Sequence, residues 1–122
     1  MNLKKSYLVR EFFNFLPPNK KNIILTFHHI PKNNFRLFNK LINDLEKDFH
    51  FIDPNSISDL FRTDLERPKI LITFDDGFRS NLEVFKDILM PKNINALFFI
   101  CNNFIGLKAE NAENFCNYNF YN

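Results

Sequence analysis

A chain of 122 residues is long enough for one domain with a hydrophobic core and too short for two. Hydrophobic residues make up 45% of it and charged residues 25%, a composition that excludes the disordered and fibrous classes of protein. The formal net charge is +2, and basic and acidic residues are mixed along the chain. The chain therefore has no basic stripe of the kind that predicts a nucleic-acid partner.

The first predicted element is a helical lead-in over residues 1–21. Its apolar stretch is interrupted by Arg10 and Glu11, which leaves it too short for the apolar core of a signal peptide. The longest apolar run of the chain, residues 96–101, is far shorter than the roughly 18 to 20 residues that span a bilayer. We therefore expect a cytoplasmic protein without a transmembrane helix.

Three apolar runs rich in β-forming residues predict buried strands. They cover residues 23–28, Lys69–Phe74 and residues 94–101. A fourth, shorter strand is predicted over residues 49–52, because the Asp-Pro pair that follows it ends the run.

Amphipathic patterns predict helices between these strands. Over residues 34–49 the apolar positions recur mostly at spacings of three and four, which places them on one face of a helix: Phe35, Phe38, Leu41, Ile42, Leu45 and Phe49. Ser56 is the predicted cap of a short helix that ends at Arg62. The last predicted helix is terminated by Pro91, and its apolar stripe consists of Leu82, Phe85, Ile88 and Leu89.

Apolar strands that alternate with amphipathic helices predict βαβ units and a parallel sheet covered on both faces. This pattern extends over residues 22–106, and an Asn-rich tail without an apolar period follows over residues 107–122. In such folds, ligands bind at the carboxyl ends of the strands. Polar residues lie at three of these ends and are expected to face one rim: His28 and His29, Asp75 and Asp76, and Asn102 and Asn103.

Adjacent carboxylates at the end of a strand, followed by a glycine, suit a metal site. Asp75 and Asp76 repel each other, and a divalent cation relieves that repulsion. The cation also lowers the pKa of a bound water toward neutrality, so that a neighbouring carboxylate can take its proton. Two plainer interpretations remain open: one aspartate caps the following helix, or Asp76 and Gly77 only form a turn.

The adjacent histidines are the other candidates at this rim. His28 and His29 point to opposite sides of an extended strand, so at most one of them faces a given pocket. A histidine there is suited to bind a metal, to act as an acid or to donate a hydrogen bond to a substrate, and a structural histidine fits equally well. His50 lies near a helix end, where the helix dipole is a sufficient explanation.

These residues also carry a resemblance to a known family. The segment ILITFDDGFRSNLEVFKDILMPKNINALFFICNNFIG resembles the first catalytic segment of the polysaccharide deacetylases, the NodB-homology domains. Their T-F-D-D-G motif is present as Thr73, Phe74, Asp75, Asp76 and Gly77. The earlier run IILTFHHI is similar to the family's Y-H-x-I strand, with Phe27 where tyrosine is common. The resemblance covers residues 22–106.

The resemblance implies a distorted (β/α) barrel that hydrolyses N-acetyl or O-acetyl groups of cell-wall or surface polysaccharides. It implies that Asp75 is the catalytic base and Asp76 a metal ligand, while His28 and His29 remain candidates for the substrate rim. The implied cofactor is zinc or a similar divalent ion, whose bound water attacks the acetyl carbonyl and which stabilises the oxyanion. The implied partner is an acetylated polysaccharide or oligosaccharide.

The chain departs from the family pattern after this first segment. The family completes its metal site with two histidines in an H-[ST]-x-x-H motif, and no histidine follows His50 here. A catalytic zinc ion normally takes about three protein ligands, so Asp76 alone does not make a site. A full (β/α) barrel needs roughly 200 residues or more. We therefore expect the front part of such a barrel, incomplete, with an unpaired sheet edge that favours self-association.

Two other functions are compatible with the sequence. The first is a catalytically dead remnant that keeps the rim around Asp75 and binds a sugar or a protein partner. The second is a receiver-like signalling domain, in which an acidic pair binds magnesium. Receiver domains carry the phosphate-accepting aspartate on a strand after the acidic pair, and no aspartate follows Asp87 in this chain. The receiver interpretation is therefore disfavoured.

Overall fold

The structure is a computed structural model that describes residues 22–62 and 67–120, with side chains up to residue 114. Its strands are β1 (Ile23–Phe27), β2 (His50–Phe51), β3 (Lys69–Phe74) and β4 (Ala96–Phe98), and its α-helices are α1 (Phe35–Asp48), α2 (Arg79–Val84) and α3 (Ala109–Phe120). A π-helical segment, Phe85–Leu89, continues α2. Short 3-10 helices cover Lys32–Asn34, Pro54–Phe61, Met90–Lys92 and Asn102–Phe104. The predicted lead-in over residues 1–21 lies outside the described residues.

All strand pairs are parallel, and β3 lies at the centre of the sheet. β1 pairs with residues 70–74 of β3, β2 with residues 69–70 and β4 with residues 72–74. Because β1 occupies one edge of β3 along this length, β2 and β4 follow one another along the other edge. The described chain is therefore a mixed α/β structure with a small parallel sheet that is open and not closed into a barrel.

One face of the sheet forms the core with the helices. Ile70, Ile72 and Phe74 point to this face from β3 and are fully buried. The predicted stripe of α1 packs onto the same cluster, with its buried positions at Phe38, Ile42 and Leu45. Burial of each such side chain stabilises the fold by roughly 1.5 to 3 kcal/mol. No helix in the described ranges is long and apolar enough to cross a membrane.

The opposite face of the sheet is covered less evenly. Leu71 and Thr73 of β3 are buried, and the Thr73 hydroxyl donates to the Thr26 hydroxyl of β1 over 2.9 Å. The Lys69 ammonium, on the same face, donates to the backbone carbonyl of Asp59 in the Pro54–Phe61 segment. Neighbouring Ile24 of β1 is 55% exposed, so this face carries both polar and apolar side chains and is partly open.

The cap of the segment after β2 is Asp53 and not the predicted Ser56. One Asp53 carboxylate oxygen accepts a hydrogen bond from the Asn55 backbone N–H over 2.8 Å, and the other accepts from the Asn95 side chain. These two hydrogen bonds hold the pKa of Asp53 below its ordinary value. Ser56 lies inside the segment at a kink, because Pro54 starts the 3-10 helix three residues earlier than predicted.

The helix after the two aspartates exposes a residue that was predicted to be buried. Leu82 is 53% exposed, and the buried positions are Asn81, Val84, Ile88 and Leu89. Asn81 takes the inward position because its side chain bonds the backbone of Asp75. Pro91 lies within the terminal 3-10 turn, and the helix ends at Asn93, whose φ of 55° is left-handed.

The predicted strand over residues 94–101 is shorter and less buried than expected. Only Ala96–Phe98 forms β4, whose residues are partly buried, and Phe99 and Ile100 are 54% and 58% exposed. Within the described ranges, β4 pairs with β3 alone, so one side of the strand lacks a neighbour. The tail forms α3, whose described side chains are mostly exposed, which explains why its sequence has no apolar period.

Candidate functional site

The candidate site lies where β1 and β3 end. The parallel pairing continues one residue beyond β3, because the Asp75 N–H donates to the Phe27 carbonyl over 2.9 Å. On the other edge, the Phe99 N–H donates to the Phe74 carbonyl over 2.8 Å. Asp75 is thus held between the chain that leaves β1 and the chain that leaves β4, at the rim that the sequence predicts.

His28 and Asp75 form the central pair of the site. His28 Nε2 lies 3.8 Å from Asp75 Oδ2, and their side chains are 65% and 33% exposed. This separation is too long for a direct hydrogen bond, yet one oxygen atom of water or substrate can hydrogen-bond to both groups from the side. The pair is therefore able to act on one bound molecule, with a carboxylate as proton acceptor and an imidazole as proton donor.

His29 faces a different group, as expected for neighbouring residues in an extended chain. A hydrogen bond joins His29 Nδ1 and Ser80 Oγ, which are 2.8 Å apart. The imidazole also lies beside the ring of Phe78, with 5.4 Å between the ring centroids. Ser80 belongs to the first turn of α2, so His29 connects the end of β1 to the helix that follows the aspartates.

Asp76 and Gly77 turn the chain sharply between β3 and α2. Their φ angles are 68° and 71°, and both lie in the left-handed region that favours glycine. Aspartate is one of the few other residue types enriched there, which makes the Asp-Gly pair suited to this turn. Asp76 and Gly77 therefore do form a turn, and the turn does not preclude a ligand role for the Asp76 carboxylate.

The Gly77 backbone lies against Ile100, the second residue after β4. A β-carbon placed on Gly77 would lie 3.1 Å from Ile100 Cγ2, which is closer than ordinary van der Waals contact. The Asp76 and Gly77 turn is thus packed from outside by the chain beyond β4. This contact joins the chain after β3 to the chain after β4, and the hydrogen bond from the Asp75 N–H to the Phe27 carbonyl joins β3 to β1.

Asn81 is a site residue that the sequence analysis missed. It is 1% exposed, and its Nδ2 donates to the Asp75 backbone carbonyl over 3.1 Å. Its Oδ1 is buried and has no hydrogen-bond partner among the described residues. The available signal was the spacing of Asn81 with Val84 and Ile88, which places a polar residue on the buried face of the predicted helix.

The other polar residues considered in the sequence stand apart from the central pair. His50 pairs with Lys69 at the first residue of β3, which is the end of the sheet opposite to Asp75. Asn102 and Asn103 lie in the exposed 3-10 turn after β4. Within the described ranges, none of the three shares a hydrogen bond or an ion pair with Asp75.

The donors at this rim do not make up a complete zinc site. The carboxylate and imidazole groups nearest in sequence to the strand ends belong to His28, His29, Asp75 and Asp76, and a catalytic zinc ion needs about three such ligands arranged around one point. In the part of the chain that the structure describes, no group of three or more histidine, cysteine, aspartate or glutamate residues is arranged to hold a metal. The described residues therefore do not fit the implied zinc ion by themselves.

Comparison with known proteins adds no support for the resemblance beyond its sequence motifs. No protein-family model matches the chain, and no match was found among the curated proteins or the solved structures. The roles of Asp75 and Asp76 therefore rest on the T-F-D-D-G resemblance and on the geometry at the strand ends.

Proposed function

We propose that this chain is the front part of a polysaccharide deacetylase-like (β/α) barrel, which removes N-acetyl or O-acetyl groups from a cell-wall or surface polysaccharide. The observation that carries the proposal is the 3.8 Å separation of His28 Nε2 and Asp75 Oδ2 at the strand ends. An acid and a base that reach one bound molecule are what acyl transfer to water needs. The T-F-D-D-G resemblance supplies the reaction class, and the small parallel sheet is compatible with it.

In the proposed reaction, Asp75 accepts a proton from a water molecule that attacks the acetyl carbonyl carbon. A new carbon–oxygen bond forms, and the bond from that carbon to the sugar nitrogen or oxygen breaks. His28 donates a proton to the departing atom, so the products are acetate and a free amine or hydroxyl. Asp76 is the residue that the resemblance implies as a ligand of a divalent ion, and no step is assigned to that ion.

A sugar-binding or partner-binding remnant without turnover is the second candidate function. It is favoured by the described residues not assembling three metal ligands around Asp76. Such a remnant keeps the rim of His28 and Asp75 as a hydrogen-bonding surface. The two candidates differ in one observable, the release of acetate.

The deciding experiment measures acetate release from acetylated chito-oligosaccharides, with and without added zinc or cobalt. We expect turnover by the unaltered chain and a fall of roughly 100-fold to 10,000-fold in Asp75→Asn, because that change removes the base and keeps the side-chain shape. Asp59→Asn is the matched control, since Asp59 lies in the 3-10 segment away from the rim. Oligosaccharide binding without acetate release from any variant would establish the remnant in place of the enzyme.

A further inference from the structure

We propose that Ser80 and Asn81, which are neighbours in the first turn of α2, are positioning residues that hold His28 beside Asp75. The inference rests on the proposed function, because His28 and Asp75 are the acid and base assigned there. Ser80 acts through His29, and Asn81 acts through the backbone of Asp75. One helical turn thereby fixes the ends of two different strands.

His28 is anchored on both of its sides along the chain. The residue before it, Phe27, accepts a hydrogen bond from the Asp75 N–H over 2.9 Å. The residue after it, His29, is joined to Ser80 over 2.8 Å. Because β1 ends at Phe27, the strand pairing no longer holds the chain at His28. The hydrogen bond between His29 and Ser80 holds the chain on the far side of His28. Loss of the Ser80 hydroxyl is expected to free the chain at His28.

Asp75 is anchored through both of its backbone polar groups. Its N–H donates to Phe27, and its carbonyl accepts from Asn81 Nδ2 over 3.1 Å. The side chain is not used in either bond, so the carboxylate remains available to His28 and to a bound molecule. Asn81 is 1% exposed, which means that it cannot turn away into solvent without opening the core.

Asn81 leaves one polar atom unpaired in the core, and a purely structural role does not explain it. Its Oδ1 is buried and finds no partner in the part of the chain that the structure describes, a situation that destabilises a fold. The residue shares the inward face of the helix with Val84 and Ile88, where a leucine would bury apolar surface without an unpaired acceptor. The bond to Asp75 is the interaction that only the polar side chain makes.

The first test uses long-range ¹H–¹⁵N NMR spectra of the histidine rings, which need no substrate. In Ser80→Ala we expect the His29 Nδ1 signal to shift because its hydrogen bond to Ser80 Oγ is lost, and the His28 ring nitrogens to shift as their distance from Asp75 changes. Ser58→Ala is the matched control, because Ser58 is exposed in the 3-10 segment. His28 signals that are identical in Ser80→Ala and the unaltered chain would overturn the proposal.

A double-mutant cycle shows whether the effect reaches His28 through its pairing with Asp75. The shift of the His28 signals caused by Ser80→Ala is expected to vanish when Asp75→Asn is already present. A shift of the same size in both backgrounds contradicts the proposal. Asn81→Leu, which fills the core position with an apolar side chain, is expected to move the His28 signals as Ser80→Ala does.

Kinetic measurements complete the test, and they distinguish a failure of the positioning role from a failure of the proposed function. Ser80→Ala is expected to lower kcat roughly 10-fold to 100-fold with little change in KM, since misplacement of reacting groups affects the chemical step. Ser80→Thr, which keeps the hydroxyl, is expected to restore most of kcat. An unaltered chain that releases no acetate removes the proposed function, and the spectra then decide the positioning contacts alone.

Discussion

At the scale of single residues, the turn from β3 to α2 shows how closely local conformation and chemistry are tied. Asp76 and Gly77 both have left-handed φ angles, and the carboxylate that the resemblance implies as a metal ligand is carried by one of them. A left-handed conformation costs a residue with a β-carbon roughly 1 to 2 kcal/mol. Asp76 bears this cost, and its left-handed backbone conformation sets the direction of its side chain.

A comparison of Gly77, in this turn, with Gly106, elsewhere in the chain, separates the effect of backbone strain from that of packing. Gly77 and Gly106 both have positive φ, but a β-carbon would meet Ile100 at Gly77 and nothing within 4 Å at Gly106. We expect Gly106→Ala to lower the free energy of unfolding by about 1 kcal/mol through strain alone, and Gly77→Ala to lower it by more. Urea unfolding of both variants provides the measurement.

The excess loss in Gly77→Ala is expected to shrink when Ile100→Ala is combined with it, because that change removes the Cγ2 atom that the new β-carbon meets. Equal losses in Gly77→Ala and Gly106→Ala would show that the Ile100 contact does not matter.

At the scale of elements, α1 combines a buried stripe with an exposed charge cluster. Asp44 accepts hydrogen bonds from Lys40 over 2.6 Å and from Lys47 over 2.8 Å. These bonds lower the pKa of Asp44 from 3.8 to about 2. The C-terminal end of the helix is closed by Arg67, whose guanidinium donates to the carbonyls of Glu46 and Phe49. Polar side chains therefore complete a helix whose place in the fold is set by its apolar face.

The lowered pKa of Asp44 predicts a specific acid dependence of stability. A depressed pKa in the folded state contributes stability above the unfolded value of 3.8, and this contribution is lost as the pH falls toward about 2. We expect Asp44→Asn to flatten the decline of stability in that window. Thermal melts at several pH values, with Asp48→Asn on the same helix as the control, provide the measurement.

Added salt provides the check on this prediction, because the cluster is exposed and therefore screened. The difference between the unaltered chain and Asp44→Asn is expected to diminish at high ionic strength. The two pKa values of Asp44 span the interval from about pH 4 to about pH 2. A decline of stability in this interval that is equally steep in both proteins would contradict the assignment.

At the scale of the whole molecule, the open sheet is the feature with the largest consequences. In the described ranges, β1 and β4 each pair with β3 on one side only. Exposed apolar residues accompany these edges, with Ile24 in β1 and Phe99 and Ile100 after β4. Unpaired strand edges with apolar neighbours promote association with another chain.

Self-association is accordingly the prediction at this scale. We expect the sedimentation coefficient to rise with protein concentration, and Phe99→Lys to weaken the association roughly tenfold or more, which corresponds to about 1.4 kcal/mol. Phe61→Lys is the control, because Phe61 is 83% exposed and lies in the 3-10 segment outside the sheet. A protein that is monomeric at all concentrations and unfolds in a sharp, cooperative transition would contradict the prediction.

Much of the fold was predictable because its strongest signals are local. The run Lys69–Phe74 forms β3 with the predicted bounds, and α1 follows its apolar spacing closely. Failures arose where a partner distant in sequence decides the outcome. Leu82 is exposed because Asn81 takes the inward position to bond Asp75, and β4 is short because a strand needs neighbours that residues 94–101 do not specify.

By itself, the sequence determined the alternation of apolar strands and amphipathic helices, and it delivered Asp75, Asp76 and the two histidines to one rim. These properties follow from hydrophobic periodicity and from the backbone freedom of glycine, which are readable residue by residue. Only the tertiary structure decided that His28 faces Asp75 while His29 faces Ser80. Such pairings join residues about fifty positions apart, and only the parallel register of β1 with β3 brings them together.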